Sequence, residues 1–311
     1  MFSLASAAGG GYTVAMNDTE QLLSSDFLKR LEQLELSAKK VLAGRMKGDR
    51  LSKRKGRGSE FADYRPYTAG DDLRFLDWNV FGRVEKLFLR LYREEEDLHV
   101  YLLIDNSKSM DFGTPSKLRY AKQVAAALGF LGLANMDRVV VEGVGGPGES
   151  PRAPAFRGRP SLWRMMRHIE SMPTAEHGDL NKALRGFSSR AKGQGVALVL
   201  SDFLDKDGYE EGLKYLATRN LDVYAIQILA DEEVNPPYTG DLKLTDLEDG
   251  DEAEVTISAP LLARYQRTLA AYRGALNTFC TKRGMSYLFT SNQVPFEKLI
   301  LGYLRTRGLV R

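Results

Sequence analysis

At 311 residues, with 43% hydrophobic and 27% charged side chains and a formal net charge of +3, the chain has an ordinary globular composition, which excludes a disordered chain, a fibre and a generic polyanion binder. The length allows one large α/β domain or two small ones. Cys280 is the single cysteine, so an internal disulfide and a cysteine zinc site are excluded, and a reducing compartment, the cytoplasm, is expected.

In chain order, residues 1–18 are small and Gly-rich and lack the basic start and apolar middle of a secretion signal; they read as a frayed tail, with Met16 an alternative start to Met1. Phe27, Leu28, Leu31, Leu34, Val41 and Leu42 recur at helical spacing and predict a helix over Ser25 to Ala43. Residues 45–57 carry seven Lys or Arg against Asp49 and read as a solvated basic loop or docking arm. Residues 59–83 mix rings and charges without a clean period, which predicts irregular structure with packed rings. There Arg65, Arg74 and Arg83 are expected to pair with Asp71, Asp72 or Asp77. Alternation then predicts a strand over 86–94.

From residue 96 onward short β-rich runs alternate with helix-length amphipathic segments, the pattern of a mostly parallel sheet covered on both faces. Strands are predicted at 99–104, 138–143, 195–200, 222–228 and 285–289, and helices at 116–135, 161–171, 179–192, 209–218, 259–283 and 295–305. Two interruptions stand out, 145–160, rich in Gly and Pro, and 231–258, which reads as an inserted hairpin. The expected organisation is a tail (1–18), an N-terminal extension (19–95) and an α/β domain (96–311). No stretch reaches about 18 consecutive apolar residues, so no membrane span is expected.

The strand ending at Ile104 runs into Asp105, Ser107 and Ser109, an acid and two hydroxyls spaced two apart. Hard divalent cations take such oxygen ligands, and open α/β sheets place ligands at the carboxyl ends of their strands. The strand ending at Leu200 runs into Ser201 and Asp202, which would bring a second acid to the same place. Residues of these types also cap turns and helices, so the position at two strand ends carries the signal.

Asp105-x-Ser107-x-Ser109 with Asp202 about ninety residues on resembles the metal-ion-dependent adhesion site of von Willebrand A domains. Upstream, Gly56-Arg-Gly58-Ser-Glu60-Phe61, Arg65-x-Tyr67, Gly70-Asp71-Asp72-x-Arg74 and Asp77-Trp78 resemble the signature of the prokaryotic family called domain of unknown function 58. The resemblance implies a von Willebrand A-like, Rossmann-like doubly wound fold. It also implies a non-enzymatic protein-protein interaction module with Mg²⁺, or Mn²⁺, held by Asp105, Ser107, Ser109 and Asp202. A partner's acidic residue would complete the site. The partner it implies is a MoxR-type AAA+ ATPase, for which the chain would act as an adaptor or co-chaperone toward a client protein in complex assembly or metal insertion. The usual threonine of such sites is replaced here by Gly178, with Thr174 nearby as a substitute, and Asp179 reads as a helix cap. Partner contacts are assigned to Arg54, Lys55, Arg57, Arg74, Asp77 and Trp78.

Rival readings are a phosphoryl-transfer enzyme with Asp105 as nucleophile and Mg²⁺, and nucleic-acid binding through the basic loop. The first lacks the second acid, since position 107 is Ser107; in the second, Glu60, Asp63, Asp71 and Asp72 would repel a phosphate backbone. No Gly-x-x-x-x-Gly-Lys loop or Gly-x-Ser-x-Gly elbow is present.

Overall fold

The computed structural model describes residue 22 and residues 25–43, 55–56, 60–93, 98–146, 153–175, 178–237, 240–245 and 252–307. Residues 1–18, Arg54, Arg57, His177 and most of the basic loop lie outside this set, and the side chain of Lys55 is likewise not described.

The main sheet has six strands, β4 (His99–Ile104), β5 (Arg138–Gly143), β6 (Ala155–Arg157), β7 (Gly195–Ser201), β8 (Leu221–Leu229) and β11 (Ser286–Ser291). Their order is β11-β8-β7-β4-β5-β6. All neighbours are parallel except β6, which runs antiparallel to β5 at the edge. Successive side chains of a strand face opposite ways, and this divides the core in two. Leu102, Ile104, Leu198, Leu200, Ile226 and Ile228 face one layer of helices, α1 (Ser25–Ala43), α3 (Lys117–Ala134), α4 (Leu162–Glu170) and α9 (Phe296–Arg307). Tyr101, Leu103, Ala197, Val199 and Ala225 face the other, α5 (Leu180–Arg190), α6 (Glu210–Ala217) and α8 (Ala259–Thr281). This is the doubly wound, mostly parallel α/β arrangement expected. Phe27, Leu31 and Leu34 of α1 lie in the first of these cores, with Phe27 5.2 Å from the Phe296 ring.

Strand β4 sits where the winding reverses. From it the chain moves outward through β5 and β6, then returns to lay β7 on the other flank of β4. The crevice at such a reversal is where open sheets bind ligands, and the residues that follow β4 and β7 are Asp105 and Asp202.

Two further units depart from the sequence expectations or complete them. The strand expected over 86–94 is present, and residues 60–83 are not wholly irregular as expected. They hold β2 (Glu60–Pro66), paired antiparallel with β3 (Phe88–Arg93), which also pairs with β1 (Lys55–Gly56), and between them stands α2 (Trp78–Val84). A register shift between Phe61 and Asp63 breaks the two-residue alternation that would have announced β2. The Gly- and Pro-rich interruption likewise contains β6. The insertion after β8 is one turn of helix, α7 (Asp231–Val234), followed by the antiparallel hairpin β9 (Gly240–Thr245) and β10 (Glu252–Ile257).

Candidate functional site

The β4 and β7 ends meet directly. The Asp105 amide donates to the Leu200 carbonyl at 2.8 Å, extending the ladder by one step. The Ser201 hydroxyl donates to Asp105 Oδ2 at 2.6 Å, and the Ser107 amide donates to Oδ1 at 3.0 Å. Ser107 and Ser109 hydroxyls stand 3.0 Å apart. Asp105, Ser107, Ser201 and Asp202 are all buried. Burial pushes the Asp105 carboxyl above its ordinary value, the charge of Asp202 pushes it further, and the hydrogen bonds from Ser201 and Ser107 pull it partly back.

Two backbone approaches fix this loop. A Cβ at Gly145 would stand 2.1 Å from the Ser107 amide nitrogen, so only glycine lets the loop after β5 lie against it. Asn106 secures the opposite side, with its side chain accepting from the Gly145 amide at 2.8 Å and donating to the Pro173 carbonyl at 2.7 Å. Residues 107 and 175 form a parallel bridge, which draws residues 173–175 alongside. Gly178 also reaches this place. A Cβ there would come within 2.9 Å of the Gly145 carbonyl oxygen and 3.3 Å of Ser107 Cβ, so the position that a threonine would take is closed to a larger residue without movement. Thr174 is exposed and makes no hydrogen bond among the described residues. Asp179 caps α5, its Oδ1 accepting from the Lys182 amide at 2.8 Å.

Asp202 is beside Asp105, yet its carboxylate is already engaged. Lys117 Nζ donates to Asp202 Oδ2 and to Glu233 Oε1, both at 2.7 Å, and the Leu204 amide donates to Asp202 Oδ1 at 3.0 Å. Lys117 is 1% exposed. Burial works against its charge, but Asp202 and Glu233 outweigh it and hold the ammonium above the ordinary lysine range. Glu233 Oε2 in turn accepts from the Ala230 amide at 2.8 Å. Asp105, by contrast, makes no ion pair among the described residues. Sequence reasoning did not single out Lys117 or Glu233. Two signals were present: a cation on the first residue of a helix, where the dipole disfavours it, and a third strand end carrying acids, Asp231, Glu232 and Glu233.

The donor set of Asp105, Ser107 and Ser109 is all oxygen, with one uncompensated buried carboxylate, and suits a hard divalent cation.

The residues assigned to partner contact divide. Asp77 is 3% exposed and structural: it caps α2 by accepting from the Asn79 and Val80 amides at 2.9 and 3.2 Å. It also takes the Tyr64 hydroxyl at 2.9 Å and Arg90 Nε at 2.7 Å. Its ion-pair partner is therefore Arg90 and not Arg83, while Arg65–Asp71 and Arg74–Asp72 pair as expected at 2.6 and 2.7 Å. Among the described rings of this segment, Tyr64, Trp78 and Phe81 are exposed and not packed against the sheet. Trp78 is 65% exposed and lies edge-on to Phe81, because the capped helix turns that face to solvent.

Among known proteins, the chain is 35% identical over 248 residues to the uncharacterized protein Rv1480 of Mycobacterium tuberculosis, covering 78% of each chain. It matches the uncharacterized protein Mb1516 of Mycobacterium bovis to the same extent. Among solved structures, the conserved hypothetical protein BatB from Bacteroides thetaiotaomicron aligns with a TM-score of 0.41 and 16% identity, over 67% of this chain and 97% of that one. The family described as Protein of unknown function DUF58 matches residues 63–275, and the chain belongs to it.

Proposed function

We propose that the chain is a non-enzymatic protein-protein interaction module whose cation site, built on Asp105, Ser107 and Ser109, takes an acidic side chain from a partner. The observation that supports this reading is the contrast between two neighbouring buried acids. Asp202 has an internal cation in Lys117, whereas Asp105 has none and sits among hydroxyl oxygens. Mg²⁺, or Mn²⁺, would supply there a charge that orients an incoming carboxylate. Asp105 and the serines hold the ion, Ser201 fixes the carboxylate of Asp105, and Lys117 keeps Asp202 in place beside it. A MoxR-type AAA+ ATPase is the partner, with the chain acting as adaptor toward a client.

The test has two arms. In the first, MgCl₂ and MnCl₂ are titrated against thermal unfolding; an ion that binds the native state alone raises stability by about 2.7 kcal/mol at one hundred times its dissociation constant. The shift is expected in the parent chain and absent in Asp105→Ala. In the second, capture of the ATPase is expected to weaken with chelator and in Asp105→Ala. Indifference of both arms, or phosphatase turnover abolished by Asp105→Asn, overturns the reading.

A further inference from the structure

Between Ser150 and Ile169 the sequence places Arg152, Arg157, Arg159, Arg164, Arg167 and His168 without one aspartate or glutamate, in a chain whose charges otherwise nearly cancel. Every cation among them is arginine, the side chain whose planar fork matches oxyanions. Part of this run folds around an open surface cavity lined by Pro154 and Phe156 on the β6 side and by Arg164, Arg167, His168 and Ser171 on the α4 side.

Arg164 and Arg167 are three residues apart on α4, a spacing at which like charges face and repel each other. Neither forms an ion pair among the described residues. The Arg164 guanidinium donates only to the Ser161 hydroxyl at 3.3 Å, and the Arg167 side chain has no hydrogen-bond partner among them. A cation in the last turn of a helix complements its dipole, which accounts for Arg167 being tolerated there. It does not account for a concave site lined by two unpaired guanidiniums and no carboxylate. The surroundings are held firmly: the His168 ring is 5.8 Å from that of Phe156 and donates from Nε2 to the Val141 carbonyl at 3.0 Å, and the Ser161 hydroxyl donates to the Arg157 carbonyl at 2.8 Å.

We propose that this cavity binds the phosphate group of a small phosphate ester, with Arg164 and Arg167 as its charge-assisted donors. A nucleic acid is the less suitable occupant, since the one phenyl ring that lines the cavity, Phe156, is 3% exposed and offers no face for a base to stack on. The site lies by the sheet edge at β6, two strands from β4, and stands independently of the cation reading.

The experiment is calorimetric titration of the full chain with glycerol 3-phosphate, inorganic phosphate and a single-stranded oligonucleotide. Saturable binding of one ester per chain is expected. Arg164→Ala and Arg167→Ala should each weaken it about tenfold, the loss of one charged hydrogen bond. Arg185→Ala, which removes a guanidinium stacked over Tyr215 outside the cavity, should leave it unchanged. Inorganic phosphate binding as tightly as the ester would identify free phosphate as the source of the same oxyanion. No saturation by either, equal weakening in Arg185→Ala, or tight oligonucleotide binding without a phosphate response overturns the proposal.

Discussion

Lys117 begins α3, directly after the Ser116 cap, and its ammonium is out of contact with water between two acids that lie 85 and 116 residues further along. Removing one member of such a buried group strands the others. Lys117→Met is therefore expected to destabilise the fold by about 3–5 kcal/mol, read as a fall in the urea midpoint. Glu233→Gln added to it should recover part of the loss, because the two changes act on one network. Cys280 illustrates the opposite case, a group kept neutral. Burial pushes its thiol up to about 12, with Arg283 pulling slightly back, against about 8.5 in an unfolded chain. The folded state thus retains a proton that the unfolded chain sheds, so this contribution to stability is whole below about pH 8.5 and is lost as pH rises toward 12. Native protein at pH 8 should leave a disulfide reagent unreacted, with full reaction in denaturant.

Element by element, the sequence was most legible where packing follows local pattern. β4 and β5 stand on the apolar runs that predicted them, and α3, α4 and α8 differ from the expected helices only near their ends. β6 escaped because three residues between Pro154 and Gly158 carry no period of their own; their pairing with Arg138, Val139 and Val140 of β5 makes them a strand. α2 escaped for a related reason. Seven residues are too few for helical periodicity, and what holds them is the Asp77 cap with Tyr64 and Arg90 from β2 and β3. At the site, the strand-end acids and serines could be read directly, whereas the Lys117 triad depends on three distant elements meeting. The cap also gives a prediction. Arg90 beside Asp77 holds its carboxyl well below the usual range, with burial opposing and the Tyr64 hydroxyl and the Val80 and Asn79 amides assisting. A depressed value stabilises above the ordinary carboxyl pKa of about 3.9 and is lost only as pH falls through the lower, folded value. With Trp163→Phe isolating the signal, Trp78 emission should stay native down to about pH 4, whereas Asp77→Asn should shift it already at neutral pH.

On the scale of the whole molecule, the first described helix and the last are one structural unit. Phe27 packs on Phe296, and Arg30 pairs with Glu297, so α1 and α9 together cover the core face of α3. Phe27→Ala is expected to cost about 3–5 kcal/mol by chemical denaturation, as much as a central core residue despite its place near the start of the chain. The Asp202–Lys117–Glu233 group spans the fold in a similar way. The Gln227 side chain donates to the Asp202 carbonyl at 2.8 Å and accepts from Tyr287 at 2.7 Å, and Tyr265 of α8 donates to the Glu233 carbonyl at 2.6 Å.

That span bears on how the protein is born. A ribosome adding about 5–20 residues per second needs on the order of ten seconds to travel from codon 117 to codon 233, a separation of 116 residues. Throughout that interval the nascent polypeptide holds a lysine whose counter-charges have not been made, so α3 cannot settle on the sheet in its final form. Tethered-chain assays on stalled ribosomes should find protease resistance arriving in one late step, after residue 233 has cleared the exit tunnel, and not gradually with length.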